Sequence, residues 1–211
     1  MSSKKQRILD AALQLFAERG IESTATAQIA ATAGVAKGTL FHHFENKAAL
    51  VDELFVHLKQ SLRLALFGEN ENHAGCVSTE PALSDSYLQL KSVWLSGMHW
   101  AMANPVAMAF FCQVHFHPAS HHRNMSIAET FAPLEERIIL ARHAGVVAAL
   151  DLIIIRDFCH HHFLHCAHFV IDAKHAQCIS QLDYINTSFD MLWRAIGGQT
   201  PPFSDSKKRR R

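Results

Sequence analysis

Apolar residues recur at helical spacing along most of this chain, and strand-like alternation is absent, so the pattern predicts an all-α protein. The start, MSSKKQRILD, runs straight into an amphipathic helix whose apolar side carries Ile8, Leu9, Ala12, Leu15 and Phe16 and which ends at Gly20. Ile29, Ala30 and Ala33 then form the apolar face of a short helix that Thr24 or Thr26 can cap and that Gly34 ends in the left-handed conformation. Val35 is the expected buried pivot. A further short helix, 36–44, turns Leu40 and Phe44 inward and leaves Lys37, Thr39, His42 and His43 on or beside the opposite face. Gly38 costs a helix roughly 1 kcal/mol relative to alanine, which close approach of the backbone to a phosphate or base edge would offset. Asn46 is a good cap for a long helix over 47–67.

Beyond a polar, aperiodic loop over 68–81, helices are predicted at 83–103, 105–117, 126–144, 147–173 and 174–196, broken by Asn104-Pro105 and His117-Pro118. The apolar stretch 144–155 is expected to be buried helix. These elements divide the chain into a helix-turn-helix head over 1–47, a helical body over 48–198, and a disordered basic tail over 199–211. The tail's KKRRR is either a solvated charge run or a weak contact for a polyanion.

The head resembles the TetR/AcrR-like family of bacterial transcriptional regulators. The residues that carry the resemblance are Ile8, Leu9, Ala12, Leu15, Phe16, Gly20, Thr24, Ile29-Ala30 and Ala33-Gly34-Val35, followed by Lys37-Gly38-Thr39-Leu40-Phe41, His43-Phe44, Lys47 and Leu50. The resemblance implies that a DNA surface is formed by Thr24, Thr26, Lys37, Gly38, Thr39, Phe41, His42, His43 and Lys47, with the Lys47 ammonium beside a helix N-terminus at a phosphate. Two positions depart from the family's commonest form. Ala36 stands where serine or threonine usually caps the recognition helix, and Phe41 stands where many members carry a tyrosine whose hydroxyl reaches the DNA backbone.

Composition limits the picture. The 211 residues are 49% hydrophobic, enough for a small head and a larger body with its own core, and the net charge is only +1. Bulk electrostatics therefore cannot hold nucleic acid, and basic charge must act locally, as from Lys4, Lys5 and Arg7 on an arm before the first helix. Five cysteines at unrelated spacings, with no export signal in view, read as reduced thiols. The reading is a cytoplasmic protein with no membrane partner and no cofactor.

The resemblance also implies that the body over 48–198 is a ligand-binding and dimerisation domain and the protein a homodimer, in which the last two helices pack against their copies and two recognition helices meet a palindromic double-stranded operator. Phe158, His162, His165, Phe169, Leu182, Ile185, Phe189 and Leu192 are the candidate interface. It implies, too, a small-molecule effector that releases DNA. Trp94, Met98, Trp100, Met102, Met108, Phe110, Phe111, Phe116 and Phe131 are candidate lining residues, and they favour an apolar or aromatic effector. Of the 16 histidines, 12 lie between His99 and His175. The stripe Cys159, His162, Cys166 leaves open a metal- or redox-responsive regulator on the same scaffold, and a dimeric interaction protein with a degenerate head is the third reading. An enzyme is not expected. His161-His162-Phe163-Leu164-His165 has the two-histidine spacing of a zinc protease helix but puts His162 where the glutamate base belongs.

Overall fold

The computed structural model describes residues 3–68, 83–115, 121–172 and 179–198, and within them every regular element is an α-helix. The head comprises α1 (Lys4–Arg19), α2 (Thr26–Thr32) and α3 (Lys37–His43), and α4 (Lys47–Phe67) leaves it. The body adds α5 (Leu83–Ala103), α6 (Pro105–His115), α7 (His121–His143), α8 (Leu152–Ile171) and α9 (Gln181–Ala195).

In the head, Ile8, Ala12, Phe16, Ile29, Leu40 and Leu50 are completely buried, so the stripes of α1 to α4 close on one small core. Gly34 has φ +63°, the left-handed turn expected of it, and its N–H and that of Val35 bond back to Ala31 and Ala30. Val35 itself is only half-buried. Lys4, Lys5 and Arg7 lie within α1, not on an arm before it. Ser3 accepts from the Gln6 N–H and starts that helix, and Lys5 pairs with Glu53 of α4.

Head and body meet along α1 and α6. The Phe16 and Phe110 rings stack at 6.1 Å, and Gln113 Nε2 donates to the Phe16 carbonyl at 2.9 Å, while the Gln113 Oε1 is buried without a partner. In the body α4 packs on α5 and α7, and α8 on α5, α6 and α9. Trp94 Nε1 donates to the Ile185 carbonyl at 3.0 Å and fixes α5 against α9.

The apolar stretch 144–155 departs from expectation. It is the connection between α7 and the start of α8, not buried helix. Gly145 has φ +68°, Asp151 caps α8 by accepting from the Ile153 N–H, and Leu150, Ile153 and Ile154 are exposed. A glycine and an N-capping aspartate outweigh hydrophobicity there. Helix α7 begins five residues earlier than its periodicity predicts and contains Pro133, and α8 spans 152–171 in place of 147–173. The expected break at Pro118, the loop from 69 to 81, the positions 174–178 and the basic tail lie outside the described residues.

Candidate functional site

Helix α3 stands between two backbone devices. Ala36 is its N-cap, with extended backbone at φ −66°, ψ 146° and no side chain able to accept a bond, so the missing hydroxyl is not replaced at that position. Phe44 closes the other end, its N–H bonded to the Leu40 carbonyl at 2.9 Å. Leu40 is buried, while Lys37, Gly38, Phe41 and His42 are exposed and Thr39 and His43 are half-exposed. A Cβ placed on Gly38 would meet nothing within 4 Å, so no packing inside this chain requires glycine there. The open side of α3 is thus uncovered, and it is polar and basic apart from the Phe41 ring. The Lys37 ammonium lies 5.8 Å from the centroid of Phe41, whose ring is 42% exposed.

Three residues assigned to the DNA surface are placed otherwise than expected. Thr24 is buried, and its hydroxyl donates to the carbonyls of Gly20 at 2.7 Å and Leu15 at 3.2 Å, which spends it on joining α1 to α2. Neither Thr24 nor Thr26 caps α2. Its cap is Ala25, whose N–H bonds to the Gln28 side chain at 3.4 Å, and Thr26 is the first, half-exposed residue of the helix. Lys47 starts α4, with Asn46 accepting from Ala49 N–H as expected, but its ammonium turns inward and donates to the carbonyls of Ile21 at 2.9 Å and Glu22 at 3.3 Å.

The body contains a cavity of roughly 930 Å³ of space free of atoms, part of it continuous with solvent, between α4, α5, α7, α8 and α9. Of the eight candidate lining residues that are described, only Trp94 and Phe131 reach it. Met98, Trp100, Met108, Phe110 and Phe111 are buried in the joint and the core around α6, Met102 is partly buried against that core, and Phe116 is outside the described residues. The wall is built mainly by residues that composition did not single out: Leu62 and Leu66 of α4, Leu134, Glu135 and Ile138 of α7, Arg156, His160 and Phe163 of α8, and Trp193 of α9. Their signal was present in the helical periodicity of α4 and α9, but nothing in sequence pairs Glu135 with Arg156, 21 residues apart.

Lys59 is a second residue the sequence reading passed over. It is 3% exposed on α4, and its ammonium faces the rings of Phe131 at 4.7 Å, Phe111 at 5.0 Å and Phe55 at 5.5 Å. Burial pulls it down from 10.5 to about 7. It falls on the stripe Phe55, Leu58, Lys59, Leu62, so a lysine at a core position was the available clue.

The candidate dimer face splits. Ile185, Phe189 and Leu192 are buried inside the protomer, and Phe189 and Leu192 line the cavity. His162 is held between the Trp94 ring at 5.4 Å and the Phe158 ring at 5.8 Å, with Nε2 3.0 Å from the Ser188 carbonyl, and Phe169 stacks on Tyr184 at 4.1 Å. Phe158, His165 and Leu182 remain exposed, joined on α8 and α9 by Ile154, His161 and Met191.

The Cys159, His162, Cys166 stripe does not converge. Cys159 faces the cavity, and burial pushes its thiol up to about 12, away from the thiolate a metal needs. Cys166 Sγ lies 3.6 Å from His162 Nε2, which is already engaged with the Ser188 carbonyl. Among the described residues no three histidine, cysteine or acidic side chains are grouped to hold a metal ion, and no helix is long and apolar enough to cross a membrane.

A sealed three-helix head with an exposed helix-turn-helix, joined to a helical body with an apolar cavity, defines the class of one-component DNA-binding regulators. Residues 8–54 match bacterial regulatory proteins of the TetR family. The chain superimposes on a TetR family transcription regulator from Shewanella sp. PV-4 with a TM-score of 0.79 and 31% identity, covering 92% of this chain and 98% of that one. The chain belongs to the TetR family. A family member from Marinobacter aquaeolei VT8 shares the fold at a TM-score of 0.70, with 18% identity over 92% of this chain and 95% of that one. The HTH-type transcriptional repressor KstR2 of Rhodococcus jostii RHA1 is 45% identical over 53 residues, 25% of this chain and 26% of that protein. This match to a curated relative thus spans about a quarter of its length, the length of the head.

Proposed function

We propose that this protein is a cytoplasmic transcriptional repressor that binds a palindromic operator as a homodimer and leaves it when a small molecule fills the body cavity. The observation that carries the reading is the open face of α3: Lys37, Gly38, Thr39 and His42 point away from a core that Leu40 and Phe44 seal, on a turn whose geometry Gly34 sets. Lys37 and Thr39 reach base edges, His42, His43 and Thr26 flank them, and Phe41 packs against the sugar-phosphate backbone without donating. Lys47 braces the loop between α1 and α2 through the Ile21 and Glu22 carbonyls, its ammonium 3.9 Å from the Glu22 carboxylate, so a phosphate contact from it competes with Glu22.

Dimerisation is assigned to the outward strip of α8 and α9. Ile154, Phe158, His161 and His165 follow one another at helical spacing on α8, and Met191 is more than 60% exposed on the side of α9 opposite its buried stripe. The effector acts by preferring the conformer whose two recognition helices are mis-spaced for successive major grooves.

Selection of bound sequences from a random duplex pool at near-physiological salt tests the reading. A palindrome is expected, with Lys37→Ala losing affinity and Thr39→Ala changing base preference. A folded dimer that enriches no sequence would instead favour an interaction protein with a degenerate head.

A further inference from the structure

The effector cavity is apolar on nearly every side and charged at one place. Among its described lining residues the formally charged side chains are Arg156 of α8 and Glu135 of α7, with Arg156 Nη1 donating to Glu135 Oε1 at 3.0 Å. The two are 36% and 27% exposed, so the pair sits where the cavity meets water. Glu135 engages one donor of a guanidinium that carries five in a fixed fork, which leaves Arg156 able to hold a second acceptor.

Lys59 adds a second basic group. Its ammonium lies 4.7 Å from the centroid of Phe131, whose ring is part of the cavity wall, and Lys59 stands one turn before the wall residue Leu62 on α4. Burial already disfavours the charged form of Lys59, so an anion nearby would relieve that cost and a cation would add to it. A neutral polar end would gain little from a guanidinium already satisfied by Glu135. A negative end gains a charge-assisted, potentially bidentate partner while its apolar body takes the place of water against leucine, phenylalanine and tryptophan.

We propose, resting on the effector reading above, that the cavity takes an anionic amphiphile: an apolar body with one carboxylate-type head, received by Arg156 beside or in place of Glu135. The body contacts Leu62 and Leu66 and so bears directly on α4, the helix that begins in the head at Lys47. Arg156 supplies preference for the head group, and the apolar wall supplies most of the affinity.

Three probes of one chain length separate these roles: dodecanoate, dodecanol and dodecylammonium, each below its aggregation concentration, titrated into the full-length dimer by calorimetry and by fluorescence of Trp94 and Trp193. Dodecanoate is expected to bind about tenfold more tightly than the other two, the effect of one charge-assisted hydrogen bond. Arg156→Gln should bring dodecanoate to within about twofold of dodecanol while leaving dodecanol binding unchanged, and Glu135→Gln should tighten dodecanoate. Equal binding of all three probes by the wild-type protein, or a preference that survives Arg156→Gln, overturns the head-group assignment and leaves the cavity standing. Leu134→Trp, which fills the cavity, should abolish binding of every probe. Undiminished binding to that variant, or no binding of any probe to the wild-type protein, overturns the effector cavity itself and this proposal with it.

Discussion

Head and body are built from the same kind of amphipathic helix, yet they spend their apolar residues differently. In the head each stripe has one destination: Ile8, Phe16, Ile29, Leu40 and Leu50 meet in a single core with essentially no exposure, and Phe41 is the one large apolar side chain of α1 to α3 left exposed. In the body the same chemistry serves three ends at once. Phe110 and Met108 fill a core, Trp94 and Phe163 border a cavity, and Phe158 and Met191 face outward. A region whose stripes share one core can be closed by local rules, whereas a region with a cavity and exposed apolar side chains leaves some surface unspent.

The largest expected effect tests whether the two regions stand apart. Phe16 belongs to the head core and stacks on Phe110 of the body, so Phe16→Ala should cost about 3–5 kcal/mol in chemical unfolding and abolish operator binding. A loss below about 1 kcal/mol would mean that the head is stable without its contact to α6.

A smaller effect, of opposite sign, is expected in the body. Lys59 is lowered to about 7 in the folded chain from 10.5, so between those values the unfolded chain binds one proton more and stability rises with pH. The penalty is full below pH 7 and gone above about 10.5. Lys59→Met should therefore stabilise the protein by about 1–4 kcal/mol at pH 6–7, part of the penalty being offset by the three ring faces around the ammonium. The gain should shrink as the pH approaches 10. Unfolding curves of variant and wild type that stay parallel from pH 6 to pH 10 would refute it.

Gln113 bears on the joint between the regions. Its amide bonds the Phe16 carbonyl, which the Gly20 N–H also reaches at 2.9 Å, and its own oxygen is buried without a partner. Gln113→Met leaves the carbonyl satisfied and removes the orphan acceptor, so stability should change by about 1 kcal/mol or less. If α6 carries the effector's signal to α1, release of operator by a bound effector should weaken by several-fold. Unaltered release would assign the coupling to α4 alone.

Legibility follows the same division. The turn at Gly34, the inward Leu40 and Phe44, the Asn46 cap and the helix over 47–67 rest on neighbouring residues and are as the sequence predicts. Thr24 was misread because its destination, the carbonyls of Gly20 and Leu15, depends on how α1 and α2 pack. In the body, periodicity marked the apolar face of α9 correctly but could not say that Ile185 and Phe189 turn to α5 and the cavity while Met191 turns out. Glu135 and Arg156 come together only because α7 and α8 both pack on α5, which no local spacing encodes.

The smallest effect sharpens the comparison most, because it belongs to the head alone. Ala36 caps α3 with backbone only, so the first N–H groups of the recognition helix lack the side-chain acceptor that a hydroxyl would provide. With the cap backbone already at φ −66°, ψ 146°, the oxygen introduced by Ala36→Ser is placed to accept from the N–H of Gly38, the Thr39 N–H already donating to the Ala36 carbonyl at 2.9 Å. A gain of about 0.5–1 kcal/mol in stability is expected, together with tighter operator binding, since α3 then docks with less to order. Because residue 36 is far in sequence and structure from the cavity wall, probe affinities in the body should be identical in the two proteins. Measuring stability, operator affinity and dodecanoate affinity on the same pair of proteins separates the outcomes. If stability rises while operator affinity does not, the N-terminal turn of α3 is already ordered in the free protein and the alanine costs stability alone. If dodecanoate affinity in the DNA-free protein moves with the head, the two regions are coupled even without DNA, and the division drawn between them fails.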